Sequence, residues 1–132
     1  MALSDADLIA EVRVLTDYTP EIMSDREFQD LVDLTKRELR ADLNQPGLDF
    51  YSDLSAERCL FWLVCIFAKV RAGEIDSPSF SISELKVRQS NFTERVGIWF
   101  DNFWNHYHSV GGGPPRGHIK SSRPDRTYNF DN

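Results

Sequence analysis

The chain has 132 residues and a net charge of −6, with 41% hydrophobic, 12% aromatic and 27% charged residues. This length is enough for one domain, and the composition is that of a globular protein rather than a disordered chain. A net acidic chain is a poor candidate for sequence-independent DNA binding, because neutralising phosphates requires clustered Lys and Arg. With only two cysteines, the chain is also not a small secreted protein held together by disulfides.

The charged residues are unevenly chosen, since 11 of the 15 basic residues are Arg and 13 of the 21 acidic residues are Asp. An Asp-rich, Lys-poor composition is typical of proteins that stay soluble in high salt. A preference for Arg over Lys is also expected from a high-GC genome, so both explanations stay open. The N-terminal residues lack the basic and apolar regions of a signal peptide. The longest apolar run, Cys59 to Ala68, has ten residues, whereas a bilayer span needs about 20. We therefore expect no targeting segment and no membrane anchor.

The first two predicted helices each begin at a serine that can cap the free amides of the opening turn. Ser4 precedes apolar residues at helical spacing, and this helix ends at Tyr18-Thr19-Pro20. Ser24 is followed three residues later by Glu27, which is the pattern of a capping box. The second helix is amphipathic and ends at Asn44-Gln45-Pro46-Gly47.

The third predicted helix, from Ser55 to about Ala72 with Gly73 as its cap, is apolar on almost every face. Such a helix is surrounded by neighbours, so we place it at the centre of a bundle or across a subunit contact. Apolar residues then alternate with polar ones, which is the period of a strand. We predict a short extended or β-hairpin insertion here, with three residues that contact a partner: Phe80, Ile82 and Val87.

The fourth predicted helix starts near Asn91 and concentrates aromatic side chains on one face. The large apolar area of the third and fourth helices favours an oligomer. The aromatic residues assigned either to the core or to a subunit interface are Trp62, Trp99, Phe103, Trp104 and Tyr107.

The segment from Gly111 to Pro115 interrupts the helical pattern. The first 110 residues carry a net charge of −8 and the remainder a net charge of +2. We therefore divide the chain into a helical domain, residues 1–110, and a hinged basic arm, residues 111–132. Such an arm is either a solubilising end or a segment that folds on an acidic partner surface. Its predicted contact residues are Arg116, Ile119, Lys120, Arg123, Arg126, Tyr128 and Phe130.

Catalytic and metal-binding motifs are weak in this sequence. Common phosphate-binding, zinc-protease and serine-hydrolase motifs are lacking. His106 and His108 are two residues apart, so their imidazoles point away from each other on a helix. Cys59 and Cys65 also lie on different sides of a helix and are interpreted as small buried side chains. We expect no enzymatic activity, no cofactor and no metal.

Taken together, this pattern resembles the head–tail connector (adaptor) proteins of tailed viruses, the small helical proteins below the portal in HK97-like and SPP1-like phages. The resemblance covers residues 1–110. It includes a short helix after Met-Ala-Leu-Ser-Asp, the apolar helix around Cys59 to Ala68, the Phe80-Ser-Ile82-Ser insertion after Gly73, and an aromatic last helix. The fold class it implies is all-α, a four-helix bundle with a short insertion and a long extended C-terminal arm.

The resemblance implies a structural virion protein, assembled in the host cytoplasm and located at the neck. It would form a ring, typically twelvefold, that joins the portal to the tail and continues the DNA channel. Its partners would be the portal protein, neighbouring copies, a tail or tail-completion protein, and passing double-stranded DNA that it does not bind specifically. With the Asp-rich composition, the source would be a virus of halophilic archaea.

Two other classes stay open. A DNA-packaging or regulatory protein such as a small terminase subunit also forms helical rings, but it needs a basic recognition helix. A small helical enzyme needs titratable groups that converge between helices, and the predicted buried faces are almost wholly apolar.

Overall fold

The computed structural model describes residues 1–75, 80–88 and 93–111, and within them the chain is all-α. The five helices of these residues are α1 (Asp5–Thr16), α2 (Asp25–Leu43), α3 (Leu54–Arg71), α4 (Ile82–Arg88) and α5 (Glu94–Ser109). Four helices were predicted, and α4 is the additional one.

Side-chain caps fix the start of each long helix. Ser4 and Ser24 accept hydrogen bonds from the amides three residues ahead, as predicted, and Ser24 forms a full capping box with Glu27. The cap of α3 is Asp53, one residue before the helix begins at Leu54, and the cap of α5 is Thr93. The last helix therefore begins at Glu94, three residues after the predicted start.

The apolar helix α3 lies at the centre of the fold and packs against α1, α2 and α5. Side chains from Leu63 to Ala68 are without exposed surface on every face of the helix. Of the two predicted environments for this helix, burial among the other helices of the same chain is the one observed. Gly73 follows α3 with a φ of 81°, the left-handed conformation that glycine adopts without steric cost.

The predicted extended insertion is wrong for residues 82–88, which form the helix α4. Ile82 and Leu85 are three residues apart and both are buried, so they lie on one helical face rather than on one face of a strand. The hydroxyl of Ser81 accepts a hydrogen bond from the amide of Glu84 and caps the first turn. The amide of Ile82 donates to Glu38 on α2 at 3.0 Å, which links α4 to the rest of the fold.

Candidate interaction surfaces

The aromatic side chains predicted as core or interface belong largely to the core. Trp99, Phe103, Trp104 and Tyr107 are buried in the single chain, and Trp62 is partly buried with its ring centroid 6.4 Å from that of Trp99. Phe103 contacts the rings of Trp104 and Tyr107 at centroid distances of 5.2 and 5.3 Å. Four of these five side chains are therefore buried within the single chain rather than open to a partner.

The three residues predicted as insertion contacts are in different environments. Ile82 is buried, and Phe80 packs edge-to-face on Phe67 with ring centroids 5.6 Å apart. Val87, in contrast, is 76% exposed. Ile82 therefore offers little side-chain surface to a partner in this fold, and of the three residues Val87 has the most exposed side chain.

The predicted contact residues of the basic arm lie outside the described residues. They are Arg116, Ile119, Lys120, Arg123, Arg126, Tyr128 and Phe130.

A surface groove that the sequence did not predict lies between α1 and the start of α5. Its volume is about 510 Å³, and Phe61 of α3 contributes to its lining. Glu11, Val14 and Leu15 line it from α1, and Arg95 lines it from α5. Val14 lies within the regular helix α1 and its side chain is 83% exposed. We call this set of five residues the α1–α5 groove.

Below this groove lies a buried charge, the carboxylate of Glu57, which has no exposed surface. Its oxygens accept hydrogen bonds from Nε and Nη2 of Arg58, each at 2.5 Å, and from the backbone amide of Ala2 at 3.1 Å. Arg58 also donates to Glu11 at 2.8 Å, and its guanidinium lies 4.3 Å from the centroid of the Phe61 ring. The hydrogen bond with Glu57 is the main cause that raises the pKa of Arg58, so the guanidinium stays charged.

A second polar cluster joins the start of α1 to α2 and to the α2–α3 connection. Asp5 accepts hydrogen bonds from Lys36 at 2.6 Å, from Gln29 at 2.8 Å and from the hydroxyl of Tyr51. Burial opposes ionisation of Asp5, but these three hydrogen bonds outweigh it and hold its pKa below the usual value. The cluster therefore stabilises the fold as long as Asp5 is ionised.

A third polar contact lies close to α4. The hydroxyl of Tyr107 donates to Asp42, and Lys86 of α4 places its Nζ 5.9 Å from the ring centroid of Trp104. Burial raises the pKa of Asp42, while the charge of Lys86 acts in the opposite direction. The hydrogen bond of Tyr107 joins α5 to α2, and Lys86 places α4 next to the Trp104 ring of α5.

The cysteines and His106 lie in apolar or partly buried surroundings. Both cysteines are buried and free, and burial raises the pKa of each thiol. Burial lowers the pKa of His106, and the positive charge of Arg58 is the second cause of this shift. In the described part of the chain, no group of three or more His, Cys, Asp or Glu side chains is placed to hold a metal ion.

The chain has no significant match among protein-family models, curated proteins or solved structures. Among the described residues, no helix is both long enough and apolar enough to cross a membrane.

Proposed function

We propose that this chain is a structural virion protein that forms a ring at the neck of a tailed virus. In this role it joins the portal to the tail and continues the DNA channel, with a helical bundle of residues 1–110 as its body and the basic arm as an additional contact. The ring is twelvefold if the resemblance to head–tail connector proteins holds in full. The partners are the portal protein, neighbouring copies and a tail protein.

The observation that carries the proposal is the position of Val87. It lies on the seven-residue helix α4, where Ile82 and Leu85 are buried and Val87 is exposed. The buried pair fixes α4 against the body, so Val87 is presented on a rigid support rather than on a loop. Of the three residues predicted to contact a partner here, Val87 is the one whose side chain is exposed on this anchored helix, so it is the residue through which the proposed contact is made.

The charge of the helical body also supports a DNA conduit. The first 110 residues carry 11 basic and 19 acidic side chains. A wall with this balance repels phosphates instead of condensing on them, so DNA can move past it without being held. Such a body does not resemble the basic surface that a packaging protein needs to grip DNA.

The proposal is tested first on particles. Quantitative mass spectrometry of purified virions from the source should find this chain at a copy number comparable to that of the portal protein. Absence of the chain from particles would contradict the neck assignment and favour a packaging factor such as a small terminase subunit.

The contact through Val87 is tested separately with portal particles of the same virus. Val87→Asp should abolish binding to the portal while circular dichroism stays helical. The matched control is Ile22→Asp, since Ile22 is 55% exposed and lies outside α4. Ile82 is not used, because an aspartate at that buried position would disrupt the fold itself. Equal portal binding by Val87→Asp and the wild type would exclude Val87 from the contact.

A further inference from the structure

The α1–α5 groove combines an apolar lining with exposed aliphatic side chains at its edges. Phe61 and Leu15 are buried or partly buried against the core, whereas Val14 rises from α1 and is 83% exposed. On α5, Ile98 is 53% exposed and lies three residues after Arg95, on the same side of that helix. Both helices therefore present aliphatic surface next to the groove.

The groove also carries one acid and one base on opposite sides. Glu11 lies on α1 and retains substantial exposure although it accepts a hydrogen bond from Arg58. Arg95 lies on α5, is exposed, and forms no ion pair with any residue that the structure describes. Glu11 and Arg95 thus lie on opposite sides of an apolar strip, and the guanidinium of Arg95 is available for an ion pair with a partner.

This arrangement is complementary to itself. A twofold axis through the middle of the strip exchanges its two sides, so it places Glu11 of each copy opposite Arg95 of the other. The same rotation brings the exposed aliphatic side chains of both copies together over the two grooves. A nucleic acid would require basic residues on both sides, and a strongly acidic or strongly basic peptide would meet a like charge on one side.

We infer that the α1–α5 groove is a self-association surface, through which two copies of this chain form a twofold symmetric dimer. The contact is isologous, with two identical Glu11–Arg95 ion pairs flanking a centre formed by Val14, Ile98 and the groove floor. This inference does not depend on the neck role, because it concerns the free protein in solution.

The first test is the oligomeric state of the full chain by sedimentation equilibrium. The wild type should sediment as a monomer–dimer equilibrium at micromolar concentrations. Val14→Asp should weaken the dimer at least tenfold, because it places a charge in the apolar centre of the contact. Ile22→Asp is the matched control and should leave the dimer unchanged. A wild-type protein that stays monomeric at about 100 μM, where even weak protein pairs associate, would overturn the inference.

The second test distinguishes a twofold contact from general stickiness by charge reversal. Arg95→Glu alone and Glu11→Arg alone should each weaken the homodimer at least tenfold, because each places like charges opposite one another twice. An equimolar mixture of the two variants should recover a dimer of near wild-type affinity, since both mixed ion pairs are then restored. Thermal unfolding checks that Glu11→Arg, which also removes a partner of Arg58, still folds.

The outcomes separate this inference from the neck assignment. Failure of the mixed variants to associate more strongly than either one alone would overturn the twofold contact, whatever the virion analysis shows. If Glu11→Arg does not fold, Val14→Asp and Arg95→Glu decide the question, because both change side chains with high exposure. Virions that contain the chain at portal stoichiometry, together with a monomeric free protein, would retain the neck role and reject the dimer.

Discussion

The backbone amide of Ala2 donates a hydrogen bond to Oε2 of Glu57, 55 residues further along the chain, at 3.1 Å. The carboxylate that accepts it has no exposed surface, and its charge is balanced by Arg58. Ala2 is itself buried, so this hydrogen bond holds the residues before α1 against α3 away from solvent. The buried pair therefore links the N-terminal segment, α1 and α3 near the floor of the α1–α5 groove.

Breaking this pair should lower the stability of the fold more than an ordinary surface substitution does. Glu57→Ala removes the acceptor of Ala2 and leaves Arg58 with Glu11 as its remaining partner, so we expect a loss of about 3 kcal/mol in the free energy of unfolding. Glu57→Gln keeps an acceptor for Ala2 but loses the charge, and should cost less. Urea unfolding followed by circular dichroism measures both.

The matched control for the Glu57 variants is Glu21→Gln, at an exposed position between α1 and α2. It should change the free energy of unfolding by less than about 0.5 kcal/mol. A Glu57→Ala variant that is as stable as this control would show that the buried ion pair contributes nothing net.

The stability of the protein should fall in acid partly because of Asp5. Its folded-state pKa is lowered by hydrogen bonds from Lys36, Tyr51 and Gln29 despite partial burial. An acid with a lowered folded-state pKa contributes stability above its unfolded pKa of about 3.9, and that contribution is lost as the pH falls through the lower, folded-state value. We expect Asp5→Asn to lower the free energy of unfolding by about 1–2 kcal/mol at pH 7.

The pH profile gives the sign of the effect. The difference between wild type and Asp5→Asn should shrink as the pH falls below about 4 and through the lower folded-state pKa, because Asp5 is then progressively protonated in the folded state as well. Asp101→Asn, at an exposed position of α5, should follow the wild-type curve throughout. A constant difference between wild type and Asp5→Asn from pH 7 to pH 3 would contradict the role of the charge.

Much of the helical framework was predictable because its signals are local. The capping residues Ser4 and Ser24 and the apolar run of α3 each define an element within a few residues of sequence. The error at α4 had a local cause as well. The alternation around Phe80 and Ile82 suggested a strand, but Ser81 and Glu84 have the spacing of a helix cap, and that signal was missed.

The interaction surfaces were less predictable because they depend on pairs of distant residues. Burial of Ile82 depends on where α4 packs, and the α1–α5 groove exists because α1 and α5 lie on either side of Phe61. The hydrophobic periodicity of a sequence does not predict how helices that are distant in the chain pack against each other. The sequence predicts that the aromatic residues of α5 share one face of a helix. It does not predict that this face is buried within the chain, because that depends on the packing of α5 against α3.

The packing of α4 can be tested with two substitutions on the same short helix. Leu85 is fully buried, so Leu85→Ala should cost about 2–3 kcal/mol and expose the α4 region to proteases. Val87→Ala, only two residues away, should change the free energy of unfolding by less than about 0.5 kcal/mol. Limited proteolysis with mass spectrometry and urea unfolding measure the two effects. Equal sensitivity of both positions would mean that α4 is not anchored by Leu85.

Trp104 is a buried core residue whose substitution tests the effect of an unpaired indole N–H on stability. Its side chain is buried, and its Nε1 has no hydrogen-bond acceptor among the residues that the structure describes. A buried donor without a partner is unfavourable, so its removal offsets part of the packing lost when the indole is replaced by a smaller ring. We expect Trp104→Phe to change the free energy of unfolding by less than about 1 kcal/mol, whereas Trp104→Ala should cost about 3–5 kcal/mol.

Phe103 is the matched control for Trp104, since it is fully buried on the same helix and carries no polar atom. Phe103→Leu removes a similar amount of ring surface without relieving an unpaired donor, so it should be more destabilising than Trp104→Phe. Urea unfolding of the three variants ranks them directly. A loss above about 2 kcal/mol for Trp104→Phe would mean that the indole N–H forms a hydrogen bond in solution, since the cost of losing that bond would then add to the smaller ring.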